Sequence, residues 1–234
     1  MTNRQKQILS EIIRLYADSA EPVSSRELAR LFALSSATIR SEMGVLEAQG
    51  FIFQPHVSAG RVPTDKGYRF FVNSVAPHNQ AHPNKSVQTI AKRVDSLKDR
   101  TDGAIKIAAE TLSDLTGNMA FATLSDSVYF HGMSQLFSQP EFIDQVHALQ
   151  AAKFIDAMQQ WLESANISKL QVYIGEENPV ARGSGLTMMI NRFNSPYSSS
   201  SYIGIVGPTR QSYDKVMNLV EGTTYALEEV FQSS

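Results

Sequence analysis

The chain has no cysteine, which excludes a disulfide framework and a thiolate metal site and makes a reducing compartment its natural setting. It also lacks any apolar run near the roughly 20 residues that a membrane-crossing helix requires. The opening MTNRQKQILSEIIRLY carries Glu11 and Arg14, unlike a secretory leader. These absences lead to the expectation of a soluble, cytoplasmic protein. Its five histidines are scattered, with His56, His78 and His82 in polar stretches, so metal-ligand spacing is missing and no cofactor is expected. No nucleophile–base arrangement appears either, and an enzyme is the least expected class. Strong charge is a further absence: the net value is -2. The distribution is uneven, because residues 1–75 hold nine Lys/Arg against seven Asp/Glu while the remainder holds twelve against sixteen. This asymmetry permits a basic N-terminal module, since surface electrostatics acts through clustering.

What is present divides the chain. A length of 234 residues suits a small domain plus a medium one. SVAPHNQAHPNKS, Ser74 to Ser86, is polar and proline-bearing and reads as a connection. The expected domains are therefore residues 1–75, a linker at 76–86, and residues 87–234. In the first domain, Ile8, Ile12 and Leu15, widened by Leu9, Ile13 and Tyr16, form the stripe of an amphipathic helix. Ser24 and Glu27 form a capping-box pattern ahead of a short helix whose Leu28, Leu31 and Phe32 face one way. Ser36 is the expected cap of a third helix, with Ile39, Met43 and Leu46 inward and Gly50 as its stop. At ~100° per residue, Ala37, Arg40, Ser41 and Gly44 then point outward, with Thr38 on the flank. That face is small, hydrogen-bonding and singly cationic, which suits entry into a DNA major groove. An ordinary surface helix of a three-helix bundle is the other reading. FIFQ follows as a short strand, then the Gly/Pro-rich QPHVSAGRVPTDKGYRFF, in which Thr64 is placed to cap a closing helix. Helix, turn, helix, strand and a loop carrying Arg61 is the order of a winged helix-turn-helix. Arg61, beside Gly60, is placed to meet a phosphate or the minor groove.

In the second domain, VQTIAKRVDSLKDRTDGAIKIAAETLSDL reads as one long helix, with Ile90, Val94, Leu97, Thr101, Ala104, Ala108, Leu112 and Leu115 near a heptad. It either packs on the sheet of its own domain or forms a dimer seam. MAFATL, SVYFHG, LQVYIG, LTMMINRF and YIGIVG read as strands, several of them antiparallel, and NSPYSSSS as a hairpin loop. Helical stripes run through Phe142, Val146, Leu149, Phe154, Met158 and Leu162, and through Tyr213, Val216, Val220, Leu227 and Phe231. The class is α+β. Adjacent Glu176 and Glu177 are a weak catalytic candidate. Arg210, at a helix start in GPTR, is a candidate ligand or anion site.

Long motifs of this chain resemble one family. RQKQILSEIIRLYADSAEPVSSRELA, LSSATIRSEMGVLEAQGFIFQPHVSAGRVPTDKGYRFFV, LFSQPEF, IGEEN and YIGIVGPTRQSYDKVMNLV are similar to the HrcA family, bacterial heat-inducible transcription repressors. The resemblance implies an N-terminal winged helix-turn-helix and a C-terminal GAF-like α+β domain. It implies a dimeric repressor of class I heat-shock operons, those of the GroE and DnaK chaperones, on an inverted-repeat operator called CIRCE. It also implies dependence on the GroE chaperonin. The chain departs from the pattern in having Ser41 where the family usually has Asn, and AEPVSS in place of Gly-Glu-Pro-Val-Gly-Ser. The family usually also carries on the order of a hundred further residues, including a domain used for dimerisation, where this chain has only Ser125 to Ser127.

The leading expectation is thus a dimeric DNA-binding repressor, with Ser36, Thr38, Arg40 and Ser41 facing the groove and His56, Ser58, Arg61 and Lys66 near the wing. The runner-up is a winged-helix regulator whose α+β domain senses a small molecule or anion. A winged helix that binds only protein is the third class.

Overall fold

Thr2 starts the first helix, α1 (Asn3–Ser19): its hydroxyl accepts from the Gln5 amide, and the Gln5 side chain receives the Thr2 amide. The expected stripe is buried at Ile8, Leu9, Ile12 and Ile13. In α2 (Ser25–Phe32), Ser24 caps the Glu27 amide. Leu31, expected to face inward with Leu28, is instead 57% exposed. So short a helix buries only Leu28, and Leu31 falls on its outer side. The cap of α3 (Ser36–Ala48) lies one residue earlier than expected: Ser35 takes the Thr38 amide at 3.1 Å, and Ser36 is already helical. Ile39, Met43 and Leu46 are buried as the spacing requires.

Gly50 ends α3 with φ +73°. There Gly50 N–H donates to the Glu47 carbonyl and Phe51 N–H to that of Leu46, a Schellman closure. The next residues enter a two-stranded antiparallel ribbon, β1 (Ile52–Phe53) and β2 (Val62–Pro63), with Phe53 opposite Val62. An isolated bridge between Val23 and Arg61 adds a third segment, with amide bonds of 3.0 and 2.9 Å in both directions. Gly60 makes that approach possible, since a Cβ there would stand 2.4 Å from the carbonyl oxygens of Pro22 and Val23. Thr64 caps α4 (Asp65–Ser74) through the Gly67 amide, and its hydroxyl also donates to the Gly50 carbonyl at 2.7 Å. Three helices, a ribbon and a closing helix make a winged helix-turn-helix.

Contacts divide the chain into two units, Met1–Ala76 with Thr209–Asp214, and Pro77–Pro208 with Lys215–Ser234. The computed structural model describes residues 1–75, 85–125, 127–180, 182, 184–198 and 200–232. Residues 76–84, most of the expected linker, lie outside the described residues.

The second unit corrects the single long helix. It is two helices, α5 (Lys85–Asp95) and α6 (Thr101–Thr116). Tight turns separate them, with the amides of Leu97, Lys98 and Arg100 each bonded to the carbonyl three residues back. The break lets α5 lie against α6, where Arg93 donates to Thr111 at 3.2 Å. Ala104, Ala108 and Leu112 of α6 are fully buried within the unit. The helix therefore packs on its own sheet and presents no heptad seam at these positions.

That sheet has the order β4-β3-β7-β6-β5, with every neighbouring pair antiparallel. Its strands are β3 (Met119–Leu124), β4 (Ser127–His131), β5 (Gln171–Ile174), β6 (Leu186–Phe193) and β7 (Ser201–Pro208). All five coincide with the expected apolar runs. Pairing of β3 with β4 continues to Leu124 and Ser127. Central β7 is buried along its whole length, as expected for a strand covered on both faces. Alternate residues explain this: Met119, Phe121, Met188 and Val206 meet α8 (Gln145–Ser164) at Phe154 and Met158. On the other face Asn191 reaches Thr224 of α9 (Tyr213–Gln232) at 2.9 Å. A short α7 (Met133–Phe137) adds Leu136 to the α8-side core. Two residues expected in the α8 stripe are corrected, for Val146 is 60% and Leu149 55% exposed. Burial along α8 begins only at Ala151, and the turns before it bury no side chain fully. The architecture is the expected α+β, GAF-like arrangement.

Candidate nucleic-acid interface

The outward face of α3 is built by the inward one. With Ile39, Met43 and Leu46 fixed in the core, Ala37, Arg40, Ser41, Gly44, Val45 and Ala48 are left exposed. Ser36 and Thr38 are half-buried at the first turn, and the Thr38 hydroxyl lies 2.9 Å from that of Ser35. Arg40 folds lightly back on its own helix, with Nε 3.3 Å from the Ser36 carbonyl. The structure thus gathers Ser36, Thr38, Arg40 and Ser41 on one side of one helix.

Both acids of α3 are occupied. Glu42 accepts from Gln5 Nε2 at 3.0 Å and pairs with Arg4 at 3.6 Å. Glu47 accepts from Arg61 Nε and Nη2, both at 3.0 Å from its Oε2. Neither carboxylate is left as uncompensated negative charge beside the small, polar face. Such pairs contribute little stability at a surface, but they decide the sign of the local field.

The wing places its candidates differently. His56 and Ser58 are exposed at its tip, where Ser58 has φ +75°, and Val57 between them is almost wholly in solvent. Gln54 shapes the loop by donating from Nε2 to the Ala59 carbonyl at 3.0 Å. Arg61 is not at the tip; its guanidinium lies on Glu47. Lys66, at the start of α4, donates to the Gln49 carbonyl at 2.8 Å and sits 4.8 Å from the centre of the Phe51 ring. It closes the carbonyl end of α3. Arg210, the candidate anion site, donates from Nη1 to the Ala17 carbonyl at 2.9 Å within the first unit. In the second unit Glu177 accepts from the Ile174 amide at 3.2 Å, a capping role. A cleft of about 500 Å³ there is lined by hydroxyls including Thr123, Ser127 and Tyr202. These three already bond to protein groups, Thr123 with the Tyr202 backbone, Ser127 with the Leu124 carbonyl and Tyr202 with the Ala165 carbonyl.

Sequence reasoning missed Glu47, Gln54 and the exposed Arg26 and Arg30 of α2. The last two were discernible, since the helix before a recognition helix commonly crosses the backbone. Glu47 was not, because nothing local pairs it with a residue fourteen positions on.

Among solved structures, a crystal structure described as that of a hypothetical protein matches 100% of this chain and 99% of its own, with TM-score 0.82 and 18% identity. That likeness shows the same fold at nearly the same length. Heat-inducible transcription repressors HrcA are similar in sequence. The one from Thermosynechococcus vestitus is 30% identical over 92% of this chain and 59% of its own. That from Acaryochloris marina is 44% identical over 53% of this chain and 34% of its own. The matched stretches therefore span about one third to three fifths of these relatives' length. Residues 1–76 match the winged helix-turn-helix transcription repressor, HrcA DNA-binding, family model, and residues 76–217 match the HrcA protein C-terminal domain. Together the two matches cover almost the whole chain, which belongs to the HrcA family.

Proposed function

We propose that this chain is a sequence-specific DNA-binding transcription repressor of heat-shock chaperone operons, acting as a homodimer on a CIRCE-like inverted repeat. The observation that carries the reading is the exposed face of α3, small or hydrogen-bonding and singly cationic with Val45 at its flank, and with both flanking carboxylates paired to cations. Ser36, Thr38, Arg40 and Ser41 face the major groove in this reading. Two such helices related by a two-fold axis would read two half-sites, which is why an inverted repeat is the matching operator. His56 and Ser58 meet the backbone from the wing tip. Arg61 and Lys66, whose charges are engaged within the unit, support that surface rather than extend from it. The GroE chaperonin is a proposed partner by family membership. Among the described residues no helix is long and apolar enough to cross a membrane.

Selection of duplexes from a random library by the purified chain tests the proposal directly. An enriched palindrome is the expected result, and retention of DNA without sequence preference would refute it. On the selected duplex, Arg40→Ala is expected to cost about 1–3 kcal/mol and to relax preference at one position in each half-site. Equal binding of all sequences by wild type and variant would remove Arg40 from the readout. Gly44→Ala separates helix stability from groove fit. A Cβ at Gly44 meets nothing within 4 Å, so the variant should gain about 0.5–1 kcal/mol in thermal unfolding. Its DNA affinity should fall all the same, because the added methyl lies on the groove-facing side. A stabilised variant with unchanged affinity would place Gly44 outside the interface.

A further inference from the structure

We propose that Glu47 and Arg61 form a clasp that sets the pose of the wing against α3, making Glu47 a positioning residue for the wing's approach to DNA. The inference rests on the DNA-binding reading above for its consequence, but its geometry stands in the protein alone. Arg61 is the one cation in residues 52–65, so the wing's charge is decided by what Arg61 touches. It touches Glu47 through two nitrogens, Nε and Nη2, each 3.0 Å from the same carboxylate oxygen. Both side chains are partly shielded, Arg61 at 22% and Glu47 at 33% exposure.

Glu47 is otherwise poorly placed. It lies in the last turn of α3, where the aligned peptide dipoles disfavour an anion, and beside a face proposed to enter the groove of a polyanion. A guanidinium held against it offsets both. The Arg61 backbone is fixed as well, by reciprocal amide bonds to Val23 at 3.0 and 2.9 Å. Gly60 beside it leaves no room for a side chain, since a Cβ there would stand 2.4 Å from the Pro22 and Val23 carbonyl oxygens. With the base of the strand pinned, the ion pair ties that base to the helix. The loop bonds Ala59 N–H to His56 and Gln54 Nε2 to Ala59 then carry the pose outward to the tip.

Exchanging the charges tests the clasp. Arg61→Glu alone should weaken binding to the selected duplex more than tenfold, since it sets two carboxylates side by side. The double variant Glu47→Arg with Arg61→Glu should recover affinity to within about threefold of wild type. In the free protein, the Ala59 amide should exchange its hydrogen several-fold faster in Glu47→Gln and in Arg61→Glu, and return to the wild-type rate in the double. A double variant as weak as Arg61→Glu would overturn the clasp and assign Arg61 to a phosphate. An unchanged Ala59 exchange rate in Glu47→Gln would overturn it independently of DNA. If the wild-type chain itself selects no duplex, the DNA-binding reading fails while the exchange measurement still judges the clasp.

Discussion

Phe154→Ala is expected to destabilise the second unit by about 3–5 kcal/mol, the range for emptying a fully buried aromatic site. Phe154 is completely buried where α8 meets the sheet, among Phe121, Met158, Met188 and Ile190. Those neighbours come from a helix and from strands paired along most of their length, so they cannot collapse into the space without breaking the ladder. Against a typical total of 5–15 kcal/mol, a loss of this size would leave a substantial unfolded fraction at moderate temperature. Urea unfolding followed by hydrogen exchange at β6 and β7 measures it. Phe154→Leu, which keeps most of the volume, should recover more than half of the loss. A loss below about 1 kcal/mol in the alanine variant would mean that this core is not close-packed.

Ile39→Ala should cost the first unit about 2–5 kcal/mol. Ile39 is fully buried one turn into α3, and its amide closes the helix on the Ser35 carbonyl at 3.1 Å. The same residue fixes which way the helix faces, because rotating it out would carry Arg40 and Ser41 away from the outward side. Loss of DNA binding should therefore follow loss of structure and be regained on cooling. Amide exchange along α3, with binding read at two temperatures, checks this. Folded protein that does not bind at any temperature would show that Ile39 orients the helix without stabilising it. Ile39→Val, which removes a single methylene, should cost only about 0.5–1.5 kcal/mol and keep binding.

The strengths and failures of the sequence reading follow from the range of each interaction. Thr64 and Gly50 were legible because a cap and a left-handed stop act within three or four residues. The strands were legible because apolar runs bounded by Gly, Asn and Pro are local signals. Leu31 was misassigned because apolar identity does not say which side of a short helix finds a partner. Val146 and Leu149 were misassigned because helical periodicity does not say where along a helix its partners begin. The break between α5 and α6 was missed because the heptad fit bridged a turn fixed by tertiary packing. For the interface, the outward face of α3 could be computed from helical geometry. The partners of its acids could not, since Gln5 and Arg61 reach Glu42 and Glu47 from other elements.

At one end of α3 the Ser35 hydroxyl holds the Thr38 amide. At the other the Val45, Leu46 and Glu47 carbonyls are taken by the amides of Gln49, Phe51 and Gly50, while Lys66 and Thr64 hold the Gln49 and Gly50 carbonyls just past the end. A helix fastened in this way at both ends cannot slide along its axis, lengthen or fray by a turn without leaving polar groups unpaired. Small axial adjustments of α3 are therefore energetically costly. Whatever switches this module on or off must displace it as one rigid piece or melt it as one cooperative piece. A signal that merely shifts α3 by a fraction of a turn has no low-cost conformation to use.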